Sequence, residues 1–344
     1  MRPYDALVVV SFGGPEDPAD VMPFLEIVTA GRGVPRERLE EVAEHYHHFG
    51  GVSPINGQNR ALIASLKQDF ASNGLDLPVY WGNRNWHPTV PETLAQMRDD
   101  GVTNAIAFLT SAYASFSSCR QYLDAIERAR AEVGDGAPHV DRLRQYFNHP
   151  GFIEPMADGV RAALAELPEN LAAQAHLAFV AHSIPTAMEV VSGPSGHTYT
   201  TQLVEATRLV AEAVGPSRES SLSYCSRSGS PTVPWLEPDI GDRLDELKAA
   251  GTKAVVVVPI GFVSDHMEVV YDLDTEAAQR ADDLGLAFIR SSTVGTDPRF
   301  VAMVRELVLE RMDERIGERV RRACGDLPAA HDVCPIGCCR LPAR

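Results

Sequence analysis

No stretch of this 344-residue chain approaches the ~20 consecutive apolar residues that a membrane-crossing helix requires. Nor is there a surplus of basic charge: 31 Lys and Arg stand against 47 Asp and Glu, a net charge of −16. That excludes a general nucleic-acid binder, which neutralises phosphates with a basic face. It also argues against an anionic membrane surface, and it favours the concentration of a metal cation. Neither GxGxxG nor the P-loop pattern GxxxxGK[ST] occurs, so the two common phosphate-cradling signatures are missing. There is no internal repeat and no low-complexity linker. The apolar run at the N-terminus leads into Gly13, Gly14 and Pro15 rather than a cleavage site. A cytoplasmic protein without signal peptide or membrane anchor is therefore expected. Cysteine is sparse, six residues in all, yet four of them (Cys324, Cys334, Cys338 and Cys339) fall in the last 21 positions. In a cytoplasmic chain of this size such crowding points to metal ligation, with a reactive tail as the plainer alternative, rather than to a disulfide framework.

What is present is the pattern of an α/β protein. Short runs, apolar on both faces, are expected as buried parallel strands at 7–10, 78–81, 105–109, 177–180, 222–224, 254–259 and 287–289. Helical stretches lie between them, at 18–28, 61–70, 90–100, 119–133, 153–167, 200–214 and 240–249, with another near 298–320. This alternation predicts two Rossmann-like, doubly wound domains, residues 1–140 and 141–297, followed by a C-terminal helix and cysteine-rich tail over 298–344. A ligand is expected in the cleft between them, at the carboxyl ends of the strands.

Several stretches carry chemistry. Ser11-Phe12-Gly13-Gly14-Pro15 closes the first strand and reads as a tight turn using glycine's backbone freedom, in preference to a phosphate cradle. His182, in Ala181-His182-Ser183-Ile184-Pro185, comes after a buried strand, where active sites form. Its imidazole can take a proton near neutral pH or ligate a borderline metal, unless it is a core histidine satisfied by a carbonyl. Glu268, Asp272 and Glu276 come after the apolar strand 254–259 at i, i+4 and i+8. Three carboxylates on one helix face suit a hard or borderline divalent cation, or else form a solvated acidic face. The histidines of the His45–Asn56 region lack zinc-site spacing and read as cleft-rim or surface residues, among which Ser53 and Asn56 can donate to a carboxylate. Cys225 reads as a core thiol.

Taken together, SFGGP, HFGGVSPIN, TSAY…SFSSC, AHSIP, SRSG…PWLEPD and PIGFVSDHMEVVYDLD resemble the ferrochelatase family over roughly residues 5–310. The resemblance implies that His182 and Glu268 face each other across a porphyrin cleft and handle the iron. It also implies that Asp272 and Glu276 line a metal path, often with a π-type turn, and that Ser53 and Tyr122 hold propionates. Within the family the chain looks most like the actinobacterial type, implying Fe²⁺ and coproporphyrin III as substrates in haem synthesis. Coprohaem decarboxylase is then a conceivable partner, and a monomer is expected. Two positions depart from the family pattern: Phe12 stands where many relatives have Tyr, and His45 where an Arg is usual. The resemblance also implies a 2Fe–2S cluster with one thiolate from Cys119 and three from the tail; Cys324, Cys334 and Cys339 are the expected set, with Cys338 as the substitute for Cys339. The competing readings are a protoporphyrin IX ferrochelatase, a cobalt- or nickel-type chelatase, a porphyrin or haem carrier with an iron–sulfur sensor tail, and, on fold alone, a dinucleotide oxidoreductase.

Overall fold

The computed structural model describes residues 3–31, 33–228, 232–313 and 320–340. Two four-stranded parallel sheets organise the chain. The first contains β1 (Ala6–Ser11), β2 (Val79–Asn83), β3 (Asn104–Leu109) and β4 (His139–Arg142), in the order β2-β1-β3-β4. The second contains β5 (His176–His182), β6 (Ser220–Cys225), β7 (Ala254–Val258) and β8 (Ala287–Arg290), in the equivalent order β6-β5-β7-β8. Parallel neighbours need crossovers, and helices supply them. In chain order the helices are α1 (Val21–Val28), α2 (Arg36–His48), α3 (Ile55–Ser72), α4 (Val90–Asp99), α5 (Gln121–Val133), α6 (Pro150–Ala165), α7 (Glu169–Ala172), α8 (Thr186–Val190), α9 (Thr198–Val214), α10 (Ile240–Ala249), α11 (Met267–Tyr271), α12 (Ala278–Asp283) and α13 (Pro298–Met312), with α6 and α7 linking the two sheets and α13 following the last strand.

Local sequence explains the ends. Asp239 caps α10 by accepting from the Gly241 amide, and Thr89 with Glu92 forms a capping box on α4. Every residue of β1 and of β7 is buried, because helices cover both faces of each sheet. One apolar core runs through both halves, from Leu7 and Phe108 to Leu177 and Phe179. Phe300 of α13 belongs to it, and Arg305 of the same helix pairs with Asp69 of α3 at 2.7 Å. The expected helix over 298–320 is seen as Pro298–Met312; positions 314–319 lie outside the described residues, as does Gly229 of the SRSG motif.

The elements not expected from sequence include β4, α2 and the short helices α7 and α8. His-Val-Asp-Arg offers a single apolar position at the sheet edge. The helix α2 is largely charged and buries only Leu39 and Ala43. Among the described residues no helix is long and apolar enough to cross a membrane.

Candidate functional site

In each sheet the strand order reverses direction between two central strands, β1 and β3 in the first, β5 and β7 in the second. Crossovers from these strands leave on opposite sides and open a crevice at their carboxyl ends. His182 is the last residue of β5, and the loop after β7 carries Glu268 into the first turn of α11. The close approach of this loop needs Gly261: a Cβ there would lie 2.7 Å from the Ala181 Cα. The Gly261 amide instead donates to Val180 O at 3.1 Å, anchoring the loop beside His182.

The resulting constellation is compact. Glu268 Oε2 lies 3.6 Å from His182 Nε2 and 3.7 Å from His266 Nδ1. The other ring nitrogen of His182, Nδ1, bonds Ser183 O, which fixes the ring. Burial opposes a charge on His182, but the Glu268 carboxylate and the Ser183 carbonyl outweigh it, and its imidazole is pushed above the usual value. Burial and the neighbouring His182 push His266 the other way, against the attraction of Glu268. Asp272 stands one turn beyond Glu268. Burial, with the nearby Glu268 and Glu276, raises its carboxyl from 3.8 to about 7, although the Ser226 hydroxyl donates to it. From Asp272 to Ala277 the helix widens into a π-turn, of the kind the family resemblance implied, before resuming as α12. Glu276 lies at its exposed end.

Elements of the first half close the crevice. The His45 ring of α2 stacks on Tyr271 of α11, with centroids 3.8 Å apart and planes 7° from parallel. Tyr46 is partly buried near Glu268 and Asp272, and that burial and negative charge hold its hydroxyl firmly protonated. The Gln58 side chain accepts from the Asp265 amide at 2.8 Å. His266, Ser226 and Tyr46 were not singled out in the sequence. His266 stands two residues before Glu268 in a motif already quoted, whereas only the fold brings Ser226 and Tyr46 to the site.

Ser53, just before α3, and Tyr122, in α5, belong to elements of the first half. Ser53 is buried against Gly14, and its amide donates to Pro15 O at 2.9 Å. Tyr122 is buried under the Arg84 guanidinium, which sits 4.8 Å from its ring centroid and 5.7 Å from that of Phe12.

A second group forms on the outer face of the first sheet, where the tail returns. Cys119, Cys338 and Cys339 are buried there among Val8, Ala107 and Tyr122, with Cys334 packed alongside. Cys338 and Cys339 Sγ are 3.7 Å apart, and Cys119 interacts with Cys339. The potential ligand atoms of His331, Cys334 and Cys338 lie within 4.8 Å of one another. A hydrogen bond from the Cys338 thiol, with His331 and Arg142 assisting, holds the Cys334 thiol far below its usual value. Arg142 Nη2 donates to Cys334 Sγ at 3.3 Å, and the Gly193 amide donates to Cys339 Sγ at 3.0 Å. Cys324 is not in this group. Its amide donates to Asn148 O at 2.7 Å, and the charges acting on its thiol are Glu154 and Arg322. The segment 320–328 is tied down near β4 and α6, away from the other thiols, by Arg144 Nη2 to Arg322 O at 2.9 Å and Asn148 Nδ2 to Leu327 O at 2.8 Å. The structure thus brings together Cys119, Cys334, Cys338 and Cys339, and the two adjacent cysteines are both in reach because Cys339 adopts a left-handed backbone with φ 56°. Cys225 is buried at the end of β6, as a core thiol would be.

The α/β fold with two parallel sheets, each with a switch-point crevice, is shared by solved chelatases. SirB from Bacillus subtilis with Fe³⁺ superposes with a TM-score of 0.54 at 13% identity, over 89% of this chain and 96% of that one. SirB in complex with cobalt, from Bacillus subtilis subspecies spizizenii, does so with a TM-score of 0.52 at 10% identity, over 91% and 97%. At such identities the likeness concerns the fold. Sequence narrows it: the family model described as ferrochelatase matches residues 4–312, and the chain belongs to the ferrochelatase family. The coproporphyrin III ferrochelatase of Streptomyces coelicolor is 57% identical over 99% of this chain and 94% of that protein. Its counterpart from Nocardia farcinica is 54% identical over 99% and 97%. A protein of Rhodopirellula baltica named ferrochelatase is 52% identical over 100% and 95%.

Proposed function

We propose that this lyase inserts ferrous iron into coproporphyrin III, forming coprohaem. The observation that carries the reaction is Glu268 held between His182 and His266 at the switch-point crevice. The choice of porphyrin is supported by the names of relatives 53–57% identical over nearly the whole chain. Insertion exchanges one Fe²⁺ for two pyrrole protons, so the site must hold a desolvated cation and accept protons close to it. His182 and Glu268 can do both, since imidazole and carboxylate are ligands as well as bases. His266, kept neutral by burial, is a further acceptor beside them. Asp272 and Glu276 lead from this pair along the π-turn to solvent and are assigned to metal loading. Ser53 and Tyr122 are assigned to the propionates, with the Arg84 guanidinium above Tyr122 as a cation on the same side. A monomer in the cytoplasm that hands its product to coprohaem decarboxylase is the setting this reading implies.

We further propose that Cys119, Cys334, Cys338 and Cys339 hold a 2Fe–2S cluster. Four gathered thiols suit such a centre. The buried Arg142, whose Nε has no partner among the described residues, and the Gly193 amide provide a positive charge and N–H donors for thiolate sulfur. When bound, the cluster would cross-link the tail to the first sheet. In this reading Cys338 takes the place first expected for Cys324.

The experiment is anaerobic Fe²⁺ insertion by the purified protein, with coproporphyrin III and protoporphyrin IX run side by side and followed in the porphyrin absorption bands. Turnover of coproporphyrin alone is expected. Turnover of protoporphyrin alone overturns the substrate, and tight binding without turnover of either favours a carrier.

A further inference from the structure

The Cys339 contact reaches beyond the tail. Gly193, whose amide donates to Cys339 Sγ, lies between α8 and α9, in the connection after His182. This connection is tightly packed. Gly193 has φ +69°, and a Cβ on it would lie 2.0 Å from Thr198 Oγ1. The Thr198 amide donates to Ser192 O at 3.2 Å, and the Tyr199 amide to the fully buried Ser192 Oγ at 3.0 Å. That hydroxyl in turn donates to Glu189 Oε2 at 3.0 Å, and Glu189 is itself buried. Residues 189–200 therefore behave as one piece. At its end the Tyr199 hydroxyl donates to His182 O at 2.8 Å.

The His182–Ser183 peptide is held at both edges. Tyr199 takes its carbonyl, and its N–H donates to Cys225 O at 2.8 Å. Its orientation places Ser183 O, which fixes His182 Nδ1 and aims Nε2 at Glu268. A second strut runs alongside. Gln202, one turn after Tyr199, accepts from the Ala114 amide at 2.8 Å, in the segment that carries Cys119. The thiol group thus meets the first turns of α9 from both of its parts, the tail and the Cys119 segment.

We propose that Tyr199 is a positioning residue for His182, and that the tail thiols set it through the Gly193–Cys339 contact. A metal-bound thiolate is a stronger, charge-assisted acceptor than a free thiol. Without it a buried N–H is left unpartnered, and the connection must move to satisfy it. The second half of the proposal rests on the cluster reading; the first does not.

Because spatial continuity alone does not establish coupling, the test is a double-mutant cycle. Tyr199→Phe, Cys339→Ser and the double variant are compared with the parent holoenzyme for Fe²⁺ insertion into coproporphyrin III. Tyr199→Phe is expected to keep the visible chromophore and a KM within about twofold of the parent, while kcat falls about tenfold. Cys339→Ser should also lose kcat, and the double variant should be no slower than the slower single variant. An unchanged kcat in Tyr199→Phe, or an equal loss in binding, overturns the positioning role. Losses that multiply overturn the coupling. A parent protein without a chromophore refutes the cluster, and Tyr199→Phe then still decides the positioning role. If Cys339→Ser does not fold, hydrogen exchange over residues 189–200 replaces it, comparing the parent before and after chelator treatment. Faster exchange after treatment is expected, and unchanged exchange overturns the coupling.

Discussion

Replacing Asp272 by Asn should stabilise the metal-free protein, and the gain should depend on pH. The carboxyl is raised from 3.8 to about 7, first by burial and then by Glu268 and Glu276. A folded-state value above the unfolded one means that folding resists ionisation. The stability is therefore intact below the unfolded value and is lost as pH rises through the folded one. The interval from 3.8 to about 7 corresponds to a penalty of about 4 kcal/mol above pH 7, at roughly 1.4 kcal/mol per tenfold. Asn has nearly the same shape, keeps an acceptor for the Ser226 hydroxyl and carries no charge. At pH 8, allowing for relaxation around the site, a gain of about 2–4 kcal/mol is expected, or a rise in melting midpoint of about 3–6 °C. At pH 5 the unfolded carboxyl is still largely ionised while the folded one is protonated, so the gain should fall to less than about half. Calorimetry of the metal-free proteins at the two pH values measures this. A variant that melts lower at pH 8, or whose gain is the same at both, refutes the reasoning. Added divalent metal should raise the midpoint of the parent more than that of the variant, because only the parent presents the carboxylate.

His182→Ala should abolish insertion while leaving coproporphyrin binding, tracked by quenching of porphyrin fluorescence, largely intact; metallation at the parent rate rejects the assignment. Cys338→Ser should bleach the visible chromophore and Cys324→Ser should leave it, and the reverse pattern restores Cys324 to the ligand set. Arg144→Met removes one partner of a buried ion pair, Arg144 to Glu310 at 2.8 Å with side chains 1% and 8% exposed. Because Arg321 still reaches Glu310, the cost should lie near the low end for broken buried pairs, about 3 kcal/mol by chemical denaturation; a loss under about 1 kcal/mol rejects the buried-pair argument.

Much of this was legible in the chain because buried parallel strands leave a strong signal. Residues 254–258, Ala-Val-Val-Val-Val, can hardly be anything but a core strand, and the loop leaving such a strand sits at a crevice. Strand β4 and helix α2 were missed for the opposite reason: they bury few apolar residues, and contacts that seat them come from far away in sequence. Asp141 is met by Arg311 at 3.0 Å, and His45 by Tyr271. The same limit governs the thiols. Spacing brings Cys334, Cys338 and Cys339 close to one another but cannot separate them from Cys324, which is held elsewhere by Arg144 and Asn148 contacts to the chain around it. Adjacent cysteines seldom point to one centre, and only the left-handed backbone at Cys339 lets this pair do so.

The two histidines that share Glu268 are driven apart in proton affinity, and this determines what the site does when metal arrives. Both are partly buried, and both lie within 3.7 Å of the same carboxylate oxygen. His182 alone also gives its Nδ1–H to a carbonyl, so it is the one that gains a proton, and its charge then works against one on His266. At neutral pH the empty site therefore favours a proton on His182 over one on His266, and Asp272 is about half protonated at its value of about 7. An incoming divalent cation requires these ligands deprotonated. Binding of Fe²⁺ to the porphyrin-free protein at pH 7 should release protons, a fraction from Asp272 and a further share from His182. Titration calorimetry in two buffers of different ionisation enthalpy counts them. In His182→Ala the release should fall. If the parent releases none, His182 is neutral in the resting site, and its proton cannot be what metal loading displaces.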